Sequence, residues 1–505
     1  MKKRLLLRPL VLCVVLLVLA LAFTACRDEG GNEAPTTAAA TTTAPATTAA
    51  TTAPVTKPPT EAGVTFPDLG GREIRISTQE RGVFGFLGPL DAEENAFRDA
   101  DPESPQYFRE TMQIANRQRV EELFNIVIVP IHTPGGSFAN VHREAVMAGD
   151  LHAEIWEASG GQNFIGATSG YIYALDELAN RLYAETGATL SFMTDRNTAW
   201  PWLDFEGNYW TVGRPLPTMS NWIIMLNMDI LEQFGAPNPV ELYERGEWTW
   251  DAMRQIMEMT TQDLTGDGEM DTWGFTGSIS SMLANFIIAN GGRFVQPDTL
   301  TLGHTYIEAM EAMEFVYEIM NNWWRPGDPD AELLARGGHN DMFFREGMSA
   351  MAFGWPGIFG NILDAGEEIN YNHVPIPLGP RNTDGISTSG GLRNGVMVMQ
   401  GTEDPHYLLW IIDELFAWPG DEWYELEFTF DMDWARRFMP DEAAVQRLFN
   451  IGYNQVHVDI GSLAGLTGGL HNWLADAWVT GEMTVAQSVE YWRAERQAAI
   501  DEFFE

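Results

Sequence analysis

Cysteine is scarce in this chain. Its 505 residues include two cysteines, Cys13 and Cys26. Cys13 lies in an N-terminal apolar run that has the features of a removable secretion signal, described below. The mature chain therefore has no second cysteine for an intrachain disulfide, and a disulfide framework and thiol catalysis are both excluded.

Basic residues, lysine above all, are also scarce. Beyond Cys26 the only lysine is Lys57, and the whole chain has 30 basic against 71 acidic residues, a net charge of −41. Removal of residues 1–25 takes away four basic residues and no acidic one, which brings the charge to −45. Such a surface repels phosphate groups, so nucleic acid and anionic lipid surfaces are excluded as partners.

Catalytic motifs are missing as well. The sequence contains no G-x-S-x-G elbow, no P-loop and no H-E-x-x-H. His132, His142 and His152 do not have the spacing of a metal-ligand cluster. With 71 carboxylates, a pair at glycosidase-like spacing is expected by chance, so no pattern favours an enzyme.

The N-terminus has the pattern of a secretion signal. A basic head is followed by the apolar run 10–23, which is short for a membrane span and ends in small residues. The four residues Phe23, Thr24, Ala25 and Cys26 resemble a lipoprotein cleavage box, with Cys26 as the lipidated residue. An acylated cysteine anchors a protein to a membrane without spanning it. An ordinary secretion signal with an accidental cysteine is the alternative.

A Thr-, Ala- and Pro-rich segment follows, within residues 26–65. It has too little apolar surface to offset the entropy of ordering, so we expect a disordered tether. The remaining 440 or so residues exceed one typical core and suit two lobes. No later apolar stretch is long and uncharged enough to span a bilayer.

Strand-like and helix-like segments alternate at the start of the body. The strand 72–77 is followed by a helix near 107–124, and the strand 125–131 is apolar enough to be buried on both faces. A helix at 141–149 precedes a strand at 153–159. This alternation predicts a parallel, doubly wound sheet, whose ligands bind beyond the carboxyl ends of the strands.

The most motif-like stretch begins with an amphipathic helix. Thr249 is a candidate cap, and Met253, Ile256, Met257 and Thr260 recur at helical spacing. An acidic turn, DLTGDGEMD, follows at 263–271.

The acidic turn resembles the first part of a calcium loop. Its oxygen-bearing candidates are Asp263, Thr265, Asp267, Glu269 and Asp271. The twelfth position is a glycine and not the bidentate Glu, so the site is truncated. We expect no required cofactor, with calcium as an optional structural ion. An Asp-Gly turn on an acidic surface is the alternative.

The order of these pieces resembles one protein family. It comprises N-x-x-x-L, a short Pro linker, the T-W-D helix, D-x-x-G-D-G-x-x-D, W-G-F and A-N-G-G. This order resembles the extracellular solute-binding proteins of sugar-type ABC importers, which are maltose-binding-protein-like, and further pieces fit over roughly 70–420. The resemblance implies an α/β chain with the two-lobed type II periplasmic-binding-protein fold. Each lobe is then a sheet flanked by helices, and the ligand cleft lies between the lobes.

The resemblance also implies domain bounds. The expected order is a signal peptide at 1–25, the tether at 26–65, lobe 1 at 66–215, lobe 2 at 216–375, a return to lobe 1 at 376–418, and C-terminal helices at 419–505 that belong mainly to lobe 2. The chain crosses between lobes near 215–221 and again near 375–379.

Candidate ligand-binding residues fall near strand ends and crossings. In the family the residues flanking the first crossing face the cleft, which here implicates Trp210, Arg214 and Trp222, and a later phrase, SAMAFGW, implicates Trp355. An indole stacks on the C–H face of a sugar, whose hydroxyls need fixed polar partners. We expect Trp248, Trp250 and Trp410, which fall on helices, to be core residues.

Polar candidates lie on loops beside them. Gln79, Ser159 and Gln162 are candidates to orient sugar hydroxyls, as is Arg214, and the alternative for each is a solvated loop residue. Gly391 either permits close backbone approach to a ligand or only forms a turn. Arg393 either meets a ligand carboxylate or pairs with one of the many acids.

These observations predict a monomeric, lipid-anchored solute-binding protein on the extracytoplasmic face of the cell membrane. It would capture a sugar or oligosaccharide and deliver it to the permease subunits of an ABC importer, with no enzymatic activity of its own. A surface-anchored glycosidase or lyase, or a carbohydrate-binding surface protein, is the alternative. A peptide, a polyamine or a uronate-containing sugar remains open as the ligand.

Overall fold

The structure is a computed structural model. It describes residues 64–78, 87, 105–133, 138–190, 200–201, 204–205, 207–213, 222–324, 342–364, 369–389, 394–416, 432–433, 435–457, 459, 461, 466 and 470–504. Residues Pro54–Glu505 form one compact unit. Within the described part of the chain, no helix combines the length and apolar character needed to cross a membrane.

Helices and short strands alternate along the chain. The helices are α1 (Pro105–Phe124), α2 (Phe138–Ala148), α3 (Gly160–Thr168), α4 (Leu175–Thr186), α5 (Met228–Gln233), α6 (Pro239–Glu244), α7 (Trp250–Thr260), α8 (Ile279–Ala289), the 3-10 turn Gly303–Thr305, α9 (Ile307–Asn322), α10 (Met342–Arg345), α11 (Gly357–Asp364), α12 (Pro405–Phe416), α13 (Glu442–Asn454), α14 (Leu470–Val479) and α15 (Val485–Phe504). The strands are β1 (Arg72–Thr78), β2 (Ile126–His132), β3 (Ile155–Ser159), β4 (Trp200–Pro201), β5 (Asp204–Phe205), β6 (Asn208–Tyr209), β7 (Val212–Gly213), β8 (Ile223–Asn227), β9 (Trp273–Thr276), β10 (Val295–Gln296), β11 (Thr301–Leu302), β12 (Ser349–Gly354), β13 (Tyr371–Val374), β14 (Thr388–Ser389), β15 (Asn394–Val398) and β16 (Val456–His457).

The first large sheet has six strands in the order β2-β1-β3-β15-β7-β4. β1 is parallel to β2 and to β3, as expected for strands joined through helices. β15 is antiparallel to β3 and to β7, so the predicted wholly parallel sheet is wrong and the sheet is mixed.

β2 lies at one edge of the six-stranded sheet, which corrects a second prediction. Its apolar sequence favoured burial on both faces, yet Val127 is 49% exposed. Among the described strands, β1 alone pairs with β2. Apolar composition alone does not distinguish an edge strand from a central one.

The second large sheet has four strands in the order β13-β8-β12-β9. Every residue of β8 and β12 is buried. One face of this sheet packs on α7, α8 and α9 in the largest apolar core, and the other packs on α11 and α13. The six-stranded sheet has its own core, to which α1, α4 and α12 contribute. Two sheets with separate cores match the predicted architecture of sheets flanked by helices.

The amphipathic helix α7 begins where the sequence predicts. The Thr249 hydroxyl accepts a hydrogen bond from the backbone N–H of Ala252, at 3.3 Å. Met253, Ile256 and Met257 are fully buried, and so is Thr260. The predicted cap and apolar face of this helix are confirmed.

The segment after β13 is fixed to α7 and α8. The indole N–H of Trp248 donates to the carbonyl of Pro375 at 2.8 Å, and that of Trp250 donates to the carbonyl of Pro377 at 3.1 Å. The N–H of Gly379 donates to a carbonyl at the end of α8 at 2.8 Å. The predicted crossing at 375–379 is therefore bound beside the core of the four-stranded sheet. The lobe bounds themselves stay a prediction.

The last helix contacts both halves of the molecule. α14 and α15 pack on α8 and α9, and Ile500 is buried with Val295 and Leu302. Three residues later, Phe503 stacks on Phe164 of α3 with ring centroids 5.7 Å apart and planes 7° apart. Phe504 contacts the same ring at 6.4 Å. α15 thus joins the core of one sheet to a helix that follows β3 of the other.

A glycine pair tests the fixed segment after β13. A Cβ at Gly379 would overlap the Asn290 side chain and lie 2.7 Å from Cζ2 of Trp250, whereas a Cβ at Gly360 in α11 meets nothing within 4 Å. We expect Gly379→Ala to lower the free energy of unfolding by about 1–3 kcal/mol through overpacking. The matched variant Gly360→Ala should raise it by up to about 1 kcal/mol through helix propensity.

Denaturant titration of both variants measures these changes from the transition midpoint at constant m-value. Equal midpoints for Gly379→Ala and the parent would show that the segment is not closely packed.

Candidate ligand-binding site

One group of strand ends lies along a single edge of the six-stranded sheet. β1 ends at Thr78 and β3 ends at Ser159, while Asn394, the first residue of β15, pairs with Ser159. β7 ends at Gly213 beside them, because Val212 pairs with Val396. We call these ends edge 1. Carboxyl ends of strands in α/β sheets are where ligands bind.

A buried hydrogen-bonded network lies behind edge 1. The Ser77 hydroxyl lies 3.0 Å from Oγ1 of Thr133 and 3.0 Å from Nε2 of His142. Thr133 Oγ1 also lies 3.0 Å from Nε2 of His152. Burial lowers the pKa of His142 to about 3, and His152 adds to the shift, so His142 is neutral at pH 7. The network fixes the ends of β1 and β2, and His142 adds no charge to it.

The four-stranded sheet has a corresponding edge. β8 begins at Ile223, directly after Trp222, and β12 ends at Gly354, directly before Trp355. Gly354 pairs with Ile223, and the ends of β9 and β13 lie at the same level. We call these ends edge 2. The helices α8 and α11 begin at edge 2, so their N–H groups point towards it.

Short links bring the two edges within reach of each other. Eight residues, 214–221, join Gly213 of edge 1 to Trp222 of edge 2, and four residues, 390–393, join Ser389 to Asn394. Extended chain of these lengths spans at most about 30 Å and about 18 Å. The first of these links therefore limits how far apart edge 1 and edge 2 can lie.

Two predicted indoles are brought together at edge 2. Ile223 pairs with Gly354 in the antiparallel register of β8 and β12. Continued by one residue, this register places Trp222 opposite Trp355. Trp222 is partly buried and stacks on Phe353, with ring centroids 5.0 Å apart and planes 17° apart.

The Trp355 ring is fixed differently. It lies over the backbone of Gly357, where any Cβ would overlap the indole, and 49% of the residue is exposed. Glycine is therefore required at position 357 for this ring position. Trp355 presents aromatic surface to solvent at the start of α11.

Hydroxyl groups follow β9 at the same end of the four-stranded sheet. Ser278 caps α8 by accepting a hydrogen bond from the N–H of Ser281 at 3.2 Å, and its hydroxyl lies 3.0 Å from that of Ser280. Within the described residues, the buried Thr276 hydroxyl at the end of β9 has no hydrogen-bond partner. The sequence prediction missed this group. The T-G-S-x-x-S pattern after a strand was the available signal, because it marks a helix cap.

An amide anchors the approach to the 390–393 link. The Oδ1 atom of Asn285 accepts hydrogen bonds from the Thr388 hydroxyl at 2.8 Å and from the N–H and hydroxyl of Ser389 at 3.0 and 3.1 Å. Asn285 lies on α8, so β14 is fixed to the helix that begins at edge 2.

The other predicted site residues have mixed placements. Ser159 lies on edge 1 as the last residue of β3. The predicted loop 159–162 is wrong beyond Ser159, because α3 begins at Gly160 and its first turn contains Gln162. Gln79, Arg214, Gly391 and Arg393 lie outside the described residues.

Trp210 is not brought to either edge. By register it lies level with Val398, at the opposite end of β15 from Asn394. It is partly buried against the apolar cluster that contains Trp156 and Phe164. The predicted core residues Trp248, Trp250 and Trp410 are buried, which confirms that prediction.

The acidic turn closes on itself through its carboxylates. Asp263 accepts hydrogen bonds from the N–H groups of Gly266 and Gly268 at 2.6 and 2.8 Å, and Asp271 accepts from that of Thr265 at 2.9 Å. The Gly268 N–H, first among several donors, holds the pKa of Asp263 below its ordinary value. The carboxylates of Asp263 and Asp271 therefore have a structural role in the turn, as acceptors of backbone N–H groups.

Calcium at this turn stays a prediction. Carboxylate oxygens suit the ion, but those of Asp263 and Asp271 already accept N–H donors. Across the described ranges, no group of three or more His, Cys, Asp or Glu side chains is arranged to hold a metal ion.

The fold matches known structures closely enough to define its class. The ABC substrate-binding protein Lmo0181 of Listeria monocytogenes, in complex with cycloalternan, superposes with a TM-score of 0.53 over 86% of this chain and 98% of its own, at 13% identity. Maltose-binding MalE of the same organism, in complex with maltose, has a TM-score of 0.54 over 85% and 98%, at 11% identity. UgpB of Mycobacterium tuberculosis, in complex with glycerophosphocholine, has a TM-score of 0.53 over 80% and 98%, at 16% identity.

The chain therefore has the two-lobed type II periplasmic-binding-protein fold, as predicted. Structural neighbours with this fold include MalE-like sugar-binding proteins. No protein-family model matches the sequence, and no curated protein does.

The two indoles of edge 2 give the first test of the site. For a sugar that raises the melting temperature of the protein, we expect Trp355→Ala to weaken binding about tenfold, or about 1.4 kcal/mol, through loss of its exposed stacking face. Trp222→Ala should weaken binding comparably, and the double variant about a hundredfold if the rings act independently.

Tyr491→Ala is the matched control, because Tyr491 is an aromatic residue of α15 that is 63% exposed and belongs to neither edge. Calorimetric titration measures each Kd. An unchanged Kd in the double variant would rule out edge 2 as the ligand site.

Proposed function

We propose that this protein is an extracytoplasmic solute-binding protein that captures a sugar or oligosaccharide between its two lobes and delivers it to an ABC importer. The proposal combines the fold with the chemistry of edge 2. Structures with this fold include proteins solved with cycloalternan and with maltose. The fold alone does not choose the ligand, since UgpB is solved with glycerophosphocholine.

The observation that carries the proposal is the pairing of Trp222 and Trp355 at edge 2. Two indoles on adjacent strands present faces on which successive C–H surfaces of a sugar can stack. The hydroxyls of Thr276, Ser278 and Ser280 lie buried at the same edge and add no charge to it. These five side chains carry no charge, which favours a neutral carbohydrate over a polyamine or a uronate.

Edge 1 supplies the opposite side of the ligand in this proposal. We still propose ligand contacts for six of the candidates near this edge. They are Ser159, Gln79, Gln162, Arg214, Gly391 and Arg393. Trp210 is left out, since it packs on the core behind edge 1. A ligand that contacts both edges favours the arrangement in which they are close, and this differential contact is the source of closure. The closed form would then be the one recognised by the permease subunits.

A thermal-shift screen of the compact unit Pro54–Glu505 tests the function. A ligand that binds only the folded protein raises its melting temperature by mass action, by an amount equivalent to about 2.7 kcal/mol at a hundredfold excess over Kd. We expect a shift with a neutral mono- or oligosaccharide, and none with amino acids, spermidine or galacturonate. A shift with spermidine alone would contradict the proposal.

The screened sugar also distinguishes binding from turnover. We expect stoichiometric binding with the sugar recovered unchanged, as for a transport protein. Release of shorter products by the purified protein would instead support a surface-anchored glycosidase or lyase.

We also propose a structural calcium ion at the acidic turn, held by side-chain oxygens of Asp263, Thr265, Asp267 and Asp271 and by the backbone carbonyl of Glu269. It would stiffen the connection between α7 and β9 and take no part in sugar binding. The same screen with calcium and with a chelator tests it. A calcium-dependent shift that Asp267→Asn abolishes supports the site, and identical melting with calcium and chelator rejects it.

Finally, we propose that Cys26 carries a lipid anchor and that the protein acts as a monomer held at the membrane. Fractionation of cells that express the full chain should place it with membranes, whereas Cys26→Ala should appear in the soluble or secreted fraction. Equal membrane retention of both forms would remove the lipid anchor from the proposal.

A further inference from the structure

A large cavity lies away from both sheet edges. It has a volume of about 860 Å³ and is formed between α15 and the segment that runs from β11 to the start of α9. Small-molecule sites in proteins have volumes of about 300–1,000 Å³, so the cavity has room for a monosaccharide or disaccharide. None of the described residues that line it belongs to edge 1 or edge 2.

One wall of the cavity carries a row of hydroxyl groups. Oγ1 of Thr299 lies 2.7 Å from Oγ1 of Thr301, which in turn lies 3.0 Å from the phenolic oxygen of Tyr306. Each hydroxyl both donates and accepts hydrogen bonds, so the row can exchange bonds with the adjacent hydroxyls of a sugar. Tyr306 is 38% exposed and offers a ring face beside them.

The opposite wall is one face of α15. Glu490, Arg493, Gln497 and Asp501 follow one another at intervals of three and four residues, which places them on a single side of the helix. The intervening Ala494 also lines the cavity and leaves space because its side chain is small.

Gln497 joins the two walls and fixes the cavity in advance of binding. Its Oε1 atom accepts a hydrogen bond from the N–H of Leu302 at 2.9 Å, and its Nε2 donates to the carbonyl of Leu300 at 3.0 Å. Below them, Leu302 and Ile500 are buried in a shared apolar cluster. A site that is already formed loses less entropy when it binds a ligand.

The charges of the lining select the class of ligand. Glu490 and Asp501 outnumber Arg493, which pairs with Glu490 at 3.5 Å, and the whole chain is strongly acidic. Anionic compounds are therefore repelled. Hydroxyls, carboxylates, an amide and a guanidinium around a tyrosine ring suit a neutral polyhydroxylated molecule.

We propose that this cavity is a second binding site, for a small neutral sugar. It stands on its own residues and does not depend on ligand binding between the two edges. The two sites share a ligand class but no side chain, so each can be removed separately.

An introduced cysteine tests occupancy directly. Residues 54–505 contain no cysteine, so Ala494→Cys places one thiol inside the cavity. Ala498→Cys is the matched control, because Ala498 is an exposed alanine one turn further along α15 that does not line the cavity. The rate of iodoacetamide alkylation is measured for each variant with glucose, maltose and trehalose in turn.

We expect at least one of these sugars to slow alkylation at position 494 by the factor 1 + [L]/Kd, about fivefold at four times Kd, and to leave position 498 unchanged. Protection should persist when Trp222→Ala and Trp355→Ala are added. It should disappear when Thr301→Val and Arg493→Ala are added, with unchanged circular dichroism confirming the fold.

Three outcomes with the sugars would overturn the second site. They are equal protection of both thiols, no protection by any of the three sugars, and loss of protection in the Trp222 and Trp355 variants. Protection by spermidine in place of the sugars would also overturn it, because the carboxylates would then be binding a cation. Failure here leaves the thermal-shift result for the cleft unaffected, since that result is lost with the indoles of edge 2.

Discussion

The antiparallel register between β8 and β12 is the constraint on which the proposed site depends. It pairs Gly354 with Ile223 and so brings Trp355 next to Trp222. Successive strand residues point to opposite faces, so a slip by one residue would turn Trp222 away from Phe353. β8 is bonded on both sides, by β12 and by β13, and both flanking registers would have to change together. The position of the indoles is thus set by buried backbone and not by the exposed loops that carry them.

At edge 2, residues that the fold itself requires also hold the proposed ligand-contacting groups in position. Ser278 is required to cap α8, and Gly357 is required so that the Trp355 ring can lie on the backbone. Asn285 fixes β14 through three hydrogen bonds from one helix position. Each of these residues serves the fold first, and together they hold polar and aromatic groups at one edge in fixed positions. Such pre-organisation lowers the entropy lost on binding.

Local patterns in the sequence predicted local structure well. The Thr249 cap, the apolar face of α7 and the burial of Trp248, Trp250 and Trp410 all follow from spacing within one helix turn or a few. The direction of β15 and the exposure of Val127 did not follow, because strand direction and edge position depend on residues far apart in sequence. The start of α3 at Gly160 was missed because two glycines suggested a loop.

The sequence predicted only part of the candidate site, because the rest depends on pairing between residues far apart in the chain. Trp222 and Trp355 were named from a resemblance, but only the strand register makes them neighbours. Trp210 was named from its position beside the first crossing, yet the register of β7 and β15 places it behind edge 1. The sequence does not show that the Thr276 hydroxyl is buried without a hydrogen-bond partner, because this depends on the residues packed around it in the fold.

In the closure proposed above, the ring contact at the end of α15 gives residues remote from the cleft a part in the energetics. Phe503 is carried by a helix that is packed on one lobe, while Phe164 is carried by a helix of the other. A rotation of one lobe against the other changes the overlap of these rings. An aromatic pair contributes about 0.5–1.5 kcal/mol beyond its buried area, which corresponds to a factor of about two to ten in a conformational equilibrium. If the lobes open and close as proposed, substitutions at Phe503 would shift that balance and leave every proposed ligand-contacting atom in place.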